Sequence, residues 1–194
     1  MMALRKSAAI IAGGRATRLG GRDKSRLVVG GRPIIVRQVE VLQRVADEIF
    51  VVGEHPDRPV DIGVPVHADL IRGVGAIGGL YTALEVAAAD RVLVVACDLP
   101  FLEAPLLERL FELADSSEAV WVRTTAGVEP LVACYQRHVR TRVRGAIEAG
   151  HLKLADLSAV LDVAALSGPD LERFGDPTRL LTNVNTAGDY ERIQ

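Results

Sequence analysis

The chain has 194 residues, of which 49% are hydrophobic, 25% charged and 4% aromatic, and its formal net charge is −2. That hydrophobic content excludes a disordered chain, and no apolar run approaches the roughly 18–20 residues that cross a bilayer. Two cysteines build no disulfide scaffold, and with four scattered histidines they form no metal-like cluster.

The length suits one domain with a sizeable core. The small net charge hides an asymmetry. Residues 1–39 hold nine basic residues and one acid, a formal +8, while the rest of the chain holds 14 basic and 24 acidic residues, a formal −10. A basic segment on an acidic body points to a local anion site. Nucleic-acid binding is disfavoured, because no aromatics interleave with these cations as stacking platforms would require.

The stretch Met1–Ala12 imitates a signal peptide only faintly, since Gly13-Gly14-Arg15 cuts its apolar part short. A buried first strand over Ser7–Ala12 is the better reading, and the absence of an address signal predicts a cytoplasmic protein. A glycine-rich loop follows. Pro33 suits the first turn of a helix, and Ile34, Ile35, Val39, Leu42, Val45 and Ala46 fit its apolar stripe. Glu48–Val52 reads as a strand. A helix is expected over Leu80–Ala89, after Gly78-Gly79. Arg91–Cys97 is apolar on both faces, as a central strand covered from both sides is. A helix over Pro105–Ala114, strands over Ala119–Arg123 and Leu131–Tyr135, and a helix over Val139–Ala149 follow. A late strand over Val160–Val163 and a closing helix over Ala187–Ile193 complete the chain. This alternation predicts an α/β fold: a Rossmann-like, doubly wound, mostly parallel sheet with helices on both faces. Ligands of such folds sit at the carboxyl ends of the strands.

The loop after the first strand runs from Gly13 to Lys24. It matches neither the dinucleotide pattern, since Arg15 replaces its second glycine, nor a Walker A loop. Its chemistry still suits phosphate. Glycines allow close backbone approach, Arg15 and Arg18 offer planar forks, and Lys24 offers a point charge. Asp98 directly follows the central apolar strand. A carboxylate there can hold a divalent cation that bridges triphosphate oxygens or can cap the helix that follows.

Four blocks occur in order: Ile11-Ala12-Gly13-Gly14 with Arg18-Leu19-Gly20-Gly21 and Asp23-Lys24; Asp69 with Gly75-Ala76-Ile77-Gly78-Gly79-Leu80; Cys97-Asp98-Leu99-Pro100; and Asn183-Val184-Asn185-Thr186. Together they resemble the molybdenum cofactor guanylyltransferase family, known as MobA, within the nucleotidyltransferases that carry a Leu-Ala-Gly-Gly type of first loop. The resemblance implies a single nucleotidyltransferase domain over residues 1–194, with a nucleotide-binding half (1–100) and an acceptor-binding half (101–194). It implies transfer of GMP from GTP to the terminal phosphate of a molybdopterin-type cofactor, with release of pyrophosphate and with Mg2+ as cofactor. A molybdenum-insertion protein and a target molybdoenzyme are the partners it suggests; neither nucleic acid nor membrane is among them.

By the same resemblance, Arg18, Lys24 and Asp98 are catalytic. Ile11, Ala12, Gly13, Gly14, Lys24, Asp69, Gly75 and Asp98 bind nucleotide, with Asp69 facing the guanine edge. Asp98 holds the metal, joined by Asn185, although Asn183 to Asp189 also fits an Asx turn before a helix. Glu129–Ala133 is similar to a segment near the acceptor. Arg137, Arg140, Arg142 and Arg144 suit either an anionic pterin phosphate or, preferably, a wet helix face. Trp121 and Tyr135 suit a flat ring or, more commonly, strand packing. His55 and His67 are expected to be solvated. The chain departs from the family pattern at Gly53, where an Asn is usual, and at Ala76 and Ala187, which replace prolines. These departures bear on the base and the acceptor and leave the phosphate and metal parts intact. The alternatives are a cytidylyltransferase acting on molybdopterin or another small phosphate and, as a different class, a non-catalytic nucleotide-binding carrier of the cofactor.

Overall fold

The computed structural model describes residues 6–12, 27–53, 62–184 and 188–189. The strands are β1 (Lys6–Ile11), β2 (Val28–Val29), β3 (Arg32–Pro33), β4 (Glu48–Val52), β5 (Val66–His67), β6 (Arg91–Ala96), β7 (Ala119–Thr124), β8 (Gly127–Gln136) and β9 (Val163–Ser167). The helices are α1 (Ile34–Leu42), α2 (Ala76–Val86), α3 (Ala104–Leu113), α4 (Arg140–Glu148), α5 (Gly168–Glu172) and α6 (Pro177–Leu180), with 3-10 turns at Arg137–Val139 and Leu154–Ala159.

Among the described residues, seven strands form one sheet in the order β5-β4-β1-β6-β8-β7-β9. β1 pairs in parallel with β4 and β6, β4 with β5, and β7 with β9. β8 runs antiparallel to both its neighbours. The chain therefore steps outward from β1 through β4 to β5, then returns across β1 to β6. That reversal opens a crevice at the carboxyl ends of β1 and β6, where doubly wound sheets bind ligands.

Side-chain alternation along the strands explains why both faces are covered. On β1, Ala8 and Ile10 join one core with α1 and α3, while Ala9 and Ile11 join the other with α2 and α4. On β6, Leu93 and Val95 take the first side, and Val92 and Val94 the second. A strand buried on both faces needs apolar residues at every position. The hairpin β2–β3 packs separately, Val29 joining Ile34 at the start of α1 and Val184.

Several elements differ from expectation. α1 ends at Leu42, so Val45 and Ala46 of the expected stripe lie just after it. α2 begins at Ala76 and runs through Gly78-Gly79 instead of starting after them. These two glycines serve close packing. A Cβ on Gly79 would lie 2.7 Å from Ile11 Cγ2, and one on Gly78 would lie 2.7 Å from the Ile71 carbonyl oxygen. The late strand is β9, at Val163–Ser167, not Val160–Val163. Val160 and Leu161 instead close a turn on the Leu157 carbonyl, at 3.0 and 2.9 Å. Leu157 and Leu161 are buried together at helical spacing, which two-residue alternation misreads. β8 starts four residues earlier than Leu131 and carries a bulge opposite Trp121/Val122, beside Pro130, which has no N–H to give the ladder. Of the expected closing helix, only Gly188 and Asp189 are described, both helical.

Candidate active site

The carboxyl ends of β4, β1 and β6 are tied into one shelf. The Ala12 N–H donates to the Val52 carbonyl at 2.7 Å, and the Cys97 N–H donates to the Ile11 carbonyl at 3.1 Å. These two atoms of Ile11 and Ala12 thus serve the sheet, and both side chains are core. Beyond β4, the Gly53 N–H donates to the His67 carbonyl at 2.9 Å, so β5 extends the shelf. Gly53 has φ 148°, a backbone setting that favours glycine. The His67 ring meets the Phe50 ring edge-on at 5.4 Å, so one face of this expected solvated histidine is packed and the residue is half-buried.

Asp69 lies between β5 and α2. Its Oδ1 is buried, and a Cβ on Gly79 would stand 3.7 Å from it. The carboxylate therefore lies against the first turn of α2, close to Ile11, and is not a loop-surface group. Thr82 holds this segment in place. Its fully buried hydroxyl accepts from the Leu70 N–H at 2.9 Å and donates to the Gly78 carbonyl at 2.8 Å. Gly75 precedes α2 with φ 75° and ψ −153°, a conformation open to glycine.

Asp98 follows β6 at the edge of the crevice and is half-buried. It is not the cap of the next helix, because α3 is preceded by Glu103 and starts at Ala104. Its carbonyl accepts from the Val184 N–H at 3.0 Å, which returns the Asn183–Val184 stretch to this turn. Across the sheet, the β6–β8 register runs from Arg91↔Gln136 to Val95↔Val132. Continued past Val95, it brings Glu129 level with Asp98. Burial, and then the negative charge of Asp98, push the Glu129 carboxyl above its usual range. Two carboxylates that repel each other at the mouth of a crevice are the hard oxygen donors a divalent cation takes. Beside Glu129 opens a cavity of about 630 Å3, between the β7–β8 hairpin and α5–α6; Arg123, Thr124, Ser167, Glu172 and Thr178 are among its lining residues.

Gly13, Gly14, Arg15, Arg18, Lys24, His55 and Asn185 lie outside the described residues. Arg137, Arg140, Arg142 and Arg144 are described, and they sit at the far end of the sheet. Gln136, which precedes them, pairs with Arg91 at the start of β6. Arg137 Nε donates to the Leu84 carbonyl at 3.2 Å, Arg140 pairs with Glu85 at 3.7 Å, and Arg144 pairs with Glu148 at 2.8 Å. Arg142 pairs with Glu118. These are structural and surface contacts, as the wet-face reading expected. Trp121 and Tyr135 are 2% and 0% exposed, so both are packing residues.

A profile of the MobA-like NTP transferase domain matches residues 8–164. The chain belongs to the MobA-like NTP transferase family. It is similar to a "probable molybdenum cofactor guanylyltransferase" of Pelotomaculum thermopropionicum, at 31% identity over 98% of this chain and 93% of that protein. Among solved structures it resembles the molybdopterin-guanine dinucleotide biosynthesis protein A of Archaeoglobus fulgidus, with TM-score 0.81, 24% identity and 96% of each chain covered. The 2-C-methyl-D-erythritol 4-phosphate cytidylyltransferase of Thermus thermophilus shares the fold, with TM-score 0.69, 19% identity and 95% of each chain covered. The MobA-like fold thus carries the doubly wound sheet that the alternation of elements predicts, and the chain is a nucleotidyltransferase. Among the described residues, no helix is long and apolar enough to cross a membrane.

Sequence reasoning underrated three residues around this site: Gln38, Thr82 and Glu129. The signal for the first two was a polar residue inside an apolar helical face. For Glu129 it was a carboxylate placed where an antiparallel strand passes the end of β6.

Proposed function

We propose that this chain transfers GMP from GTP to the terminal phosphate of a molybdopterin-type cofactor and releases pyrophosphate. The observation that supports this most is Asp98 at the switch crevice of a chain 31% identical, over 98% of its length, to a protein named "probable molybdenum cofactor guanylyltransferase". Asp69 accepts the N1–H and the 2-amino group of guanine, two donors that a carboxylate can take together. Ala12 and Gly75 leave room for the nucleoside, and Arg18 and Lys24, with Gly13 and Gly14, meet the phosphates. Arg18 and Lys24 neutralise charge growing on the departing pyrophosphate. Asp98 would hold Mg2+, with Asn185 as its companion, and the bound ion would supply positive charge to the triphosphate oxygens. An oxygen of the acceptor phosphate attacks the α-phosphorus in line, and the bond to the α–β bridging oxygen breaks. The attacking phosphate oxygen is already ionised near neutral pH, so no general base is needed. The cavity beside Glu129 gives the acceptor its room, next to the carboxylates and away from the shelf of β4 and β5. A molybdenum-insertion protein would deliver the acceptor, and a target molybdoenzyme would receive the product.

The test is pyrophosphate release from GTP, Mg2+ and molybdopterin. Asp98→Ala is expected to abolish release while leaving the circular dichroism spectrum unchanged; full turnover in that variant would remove Asp98 from the mechanism. GTP is expected to bind at least as tightly as CTP. A tenfold preference for CTP would replace the guanylyl reading with a cytidylyl one, and nucleotide binding without any release would leave a carrier.

A further inference from the structure

We propose that Gln38 is a positioning residue for Asp98, bracing from behind the turn that presents this carboxylate. The inference rests on the reading of Asp98 as the carboxylate of the divalent cation.

Gln38 lies on the buried face of α1, among Ile34, Ile35, Val39 and Leu42, and is 2% exposed. Helical spacing assigns that position to a hydrocarbon side chain. Its Nε2 instead donates to the Ala96 carbonyl at 2.7 Å and to the Leu99 carbonyl at 3.1 Å. These two carbonyls bracket Cys97 and Asp98, so one amide group spans the turn. The neighbouring Arg37 Nε donates to the Pro100 carbonyl at 3.2 Å. With the Cys97 N–H on Ile11 and the Asp98 carbonyl on Val184, every residue from Ala96 to Pro100 but one is held by its carbonyl, and Cys97 by its N–H. A turn held at so many points fixes the direction of the side chain it carries.

The other end of the amide strengthens the argument. Gln38 Oε1 is buried without a hydrogen-bond partner among the described residues. Exchanging the amide oxygen and nitrogen would not help, because the oxygen would then face two carbonyl oxygens. An orphaned buried acceptor is unfavourable for folding. A methionine would fill the same space without that penalty. The glutamine therefore does something that packing alone does not ask for, and what its two donors hold is the Asp98 turn.

The experiment titrates Mn2+ into the full chain and follows the free ion by electron paramagnetic resonance. Wild type, Gln38→Met, Asp98→Asn and the double variant are compared, each checked for a native dichroism spectrum and a cooperative melt. Gln38→Met is expected to weaken Mn2+ binding about tenfold, to leave metal-free GTP affinity unchanged, and to add nothing on the Asp98→Asn background. If Gln38→Met fails to fold, Gln38→Asn serves instead; it keeps the amide but is one methylene too short to reach both carbonyls. Mn2+ affinity within twofold of wild type in the Gln38 variant, with Asp98→Asn defective, overturns this inference and leaves the Asp98 reading standing. Unchanged affinity in Asp98→Asn, or no Mn2+ binding by wild type, overturns both.

Discussion

Gly78 and Gly79 show how a missing side chain sets a site. Alanine is the better helix former by up to about 1 kcal/mol. Yet a Cβ on Gly78 would stand 2.7 Å from both a backbone carbonyl oxygen and Val74 Cγ2, and that oxygen belongs to the loop just after Asp69. The clash outweighs the propensity gain, so Gly78→Ala is expected to destabilise the protein by about 1–3 kcal/mol in denaturant unfolding. Gly79→Ala presses on Ile11 Cγ2, a side-chain atom that can yield, and is expected to cost less stability but to raise the KM for GTP by moving Asp69. The two cysteines separate as clearly. Burial pushes the Cys134 thiol up to about 12, whereas Cys97 is half-buried beside Asp98. Iodoacetamide at pH 8 is expected to modify Cys97 and to spare Cys134 until the protein unfolds; equal labelling by mass spectrometry would contradict the packed β8.

At the scale of elements, Glu118 is a hub at the end of the sheet opposite Asp98. Its carboxylate accepts from Arg142 on α4 and from the Asp162 N–H at 2.9 Å, next to β9, and it lies 3.2 Å from His138. Foremost the Arg142 hydrogen bond, then the Asp162 N–H, hold its pKa at about 2 against an ordinary 4.5. The folded value is the lower one. The stabilisation is therefore complete above about pH 4.5 and fades as pH falls through about 2. With the Arg142 side chain 40% exposed, screening limits the effect to about 1 kcal/mol. Glu118→Gln is expected to lower the melting temperature at pH 7 and to flatten its fall between pH 4.5 and 2.

Elements were legible where one period dominates. Glu48–Val52 has the expected bounds, and Ile34 to Leu42 of the expected stripe lie on α1, because nothing competes with alternation or helical spacing there; Val45 and Ala46 fall just after it. Legibility failed where a residue answers to a distant partner. Gly78-Gly79 look like punctuation until Ile11 and Ile71 are seen against them, and Val160-Leu161 look like a strand until Leu157 claims them. The candidate site was legible as an ordered set of motifs, with Asp69 and Asp98 already in it. Gln38 and Thr82 were not, because their roles are hydrogen bonds across 58 and 12 residues of chain, which no local spacing encodes.

For the whole molecule, the sheet crosses the midpoint of the chain. β6 lies between β1 of the first half and β8 of the second, and apolar residues cover it on both faces. A fragment of residues 1–100 would expose that strand's edge and its hydrocarbon faces. It is expected to aggregate or to lack a cooperative melt, whereas the full chain unfolds in one transition. Of the basic excess of residues 1–39, Arg18 and Lys24 meet the triphosphate in the proposed reaction, and the remaining cations add a long-range attraction. Raising ionic strength from about 0.05 to about 0.5 M is therefore expected to raise the KM for GTP several-fold with little change in kcat. β8 runs against its neighbours, and this has a further consequence. A parallel strand delivers its last residue to the crevice and then leaves, free to wander. A reversed strand delivers its first residues, and the turn before them is moored by β7 as well. The stretch from Thr124 to Gly127 can then lengthen, shorten or change composition while the register from Val132 to Gln136 stays fixed. In the proposed reaction, the molecule can then change what it accepts on one side of the crevice without reworking how it holds a nucleotide on the other, and libraries aimed at new acceptors belong in that turn.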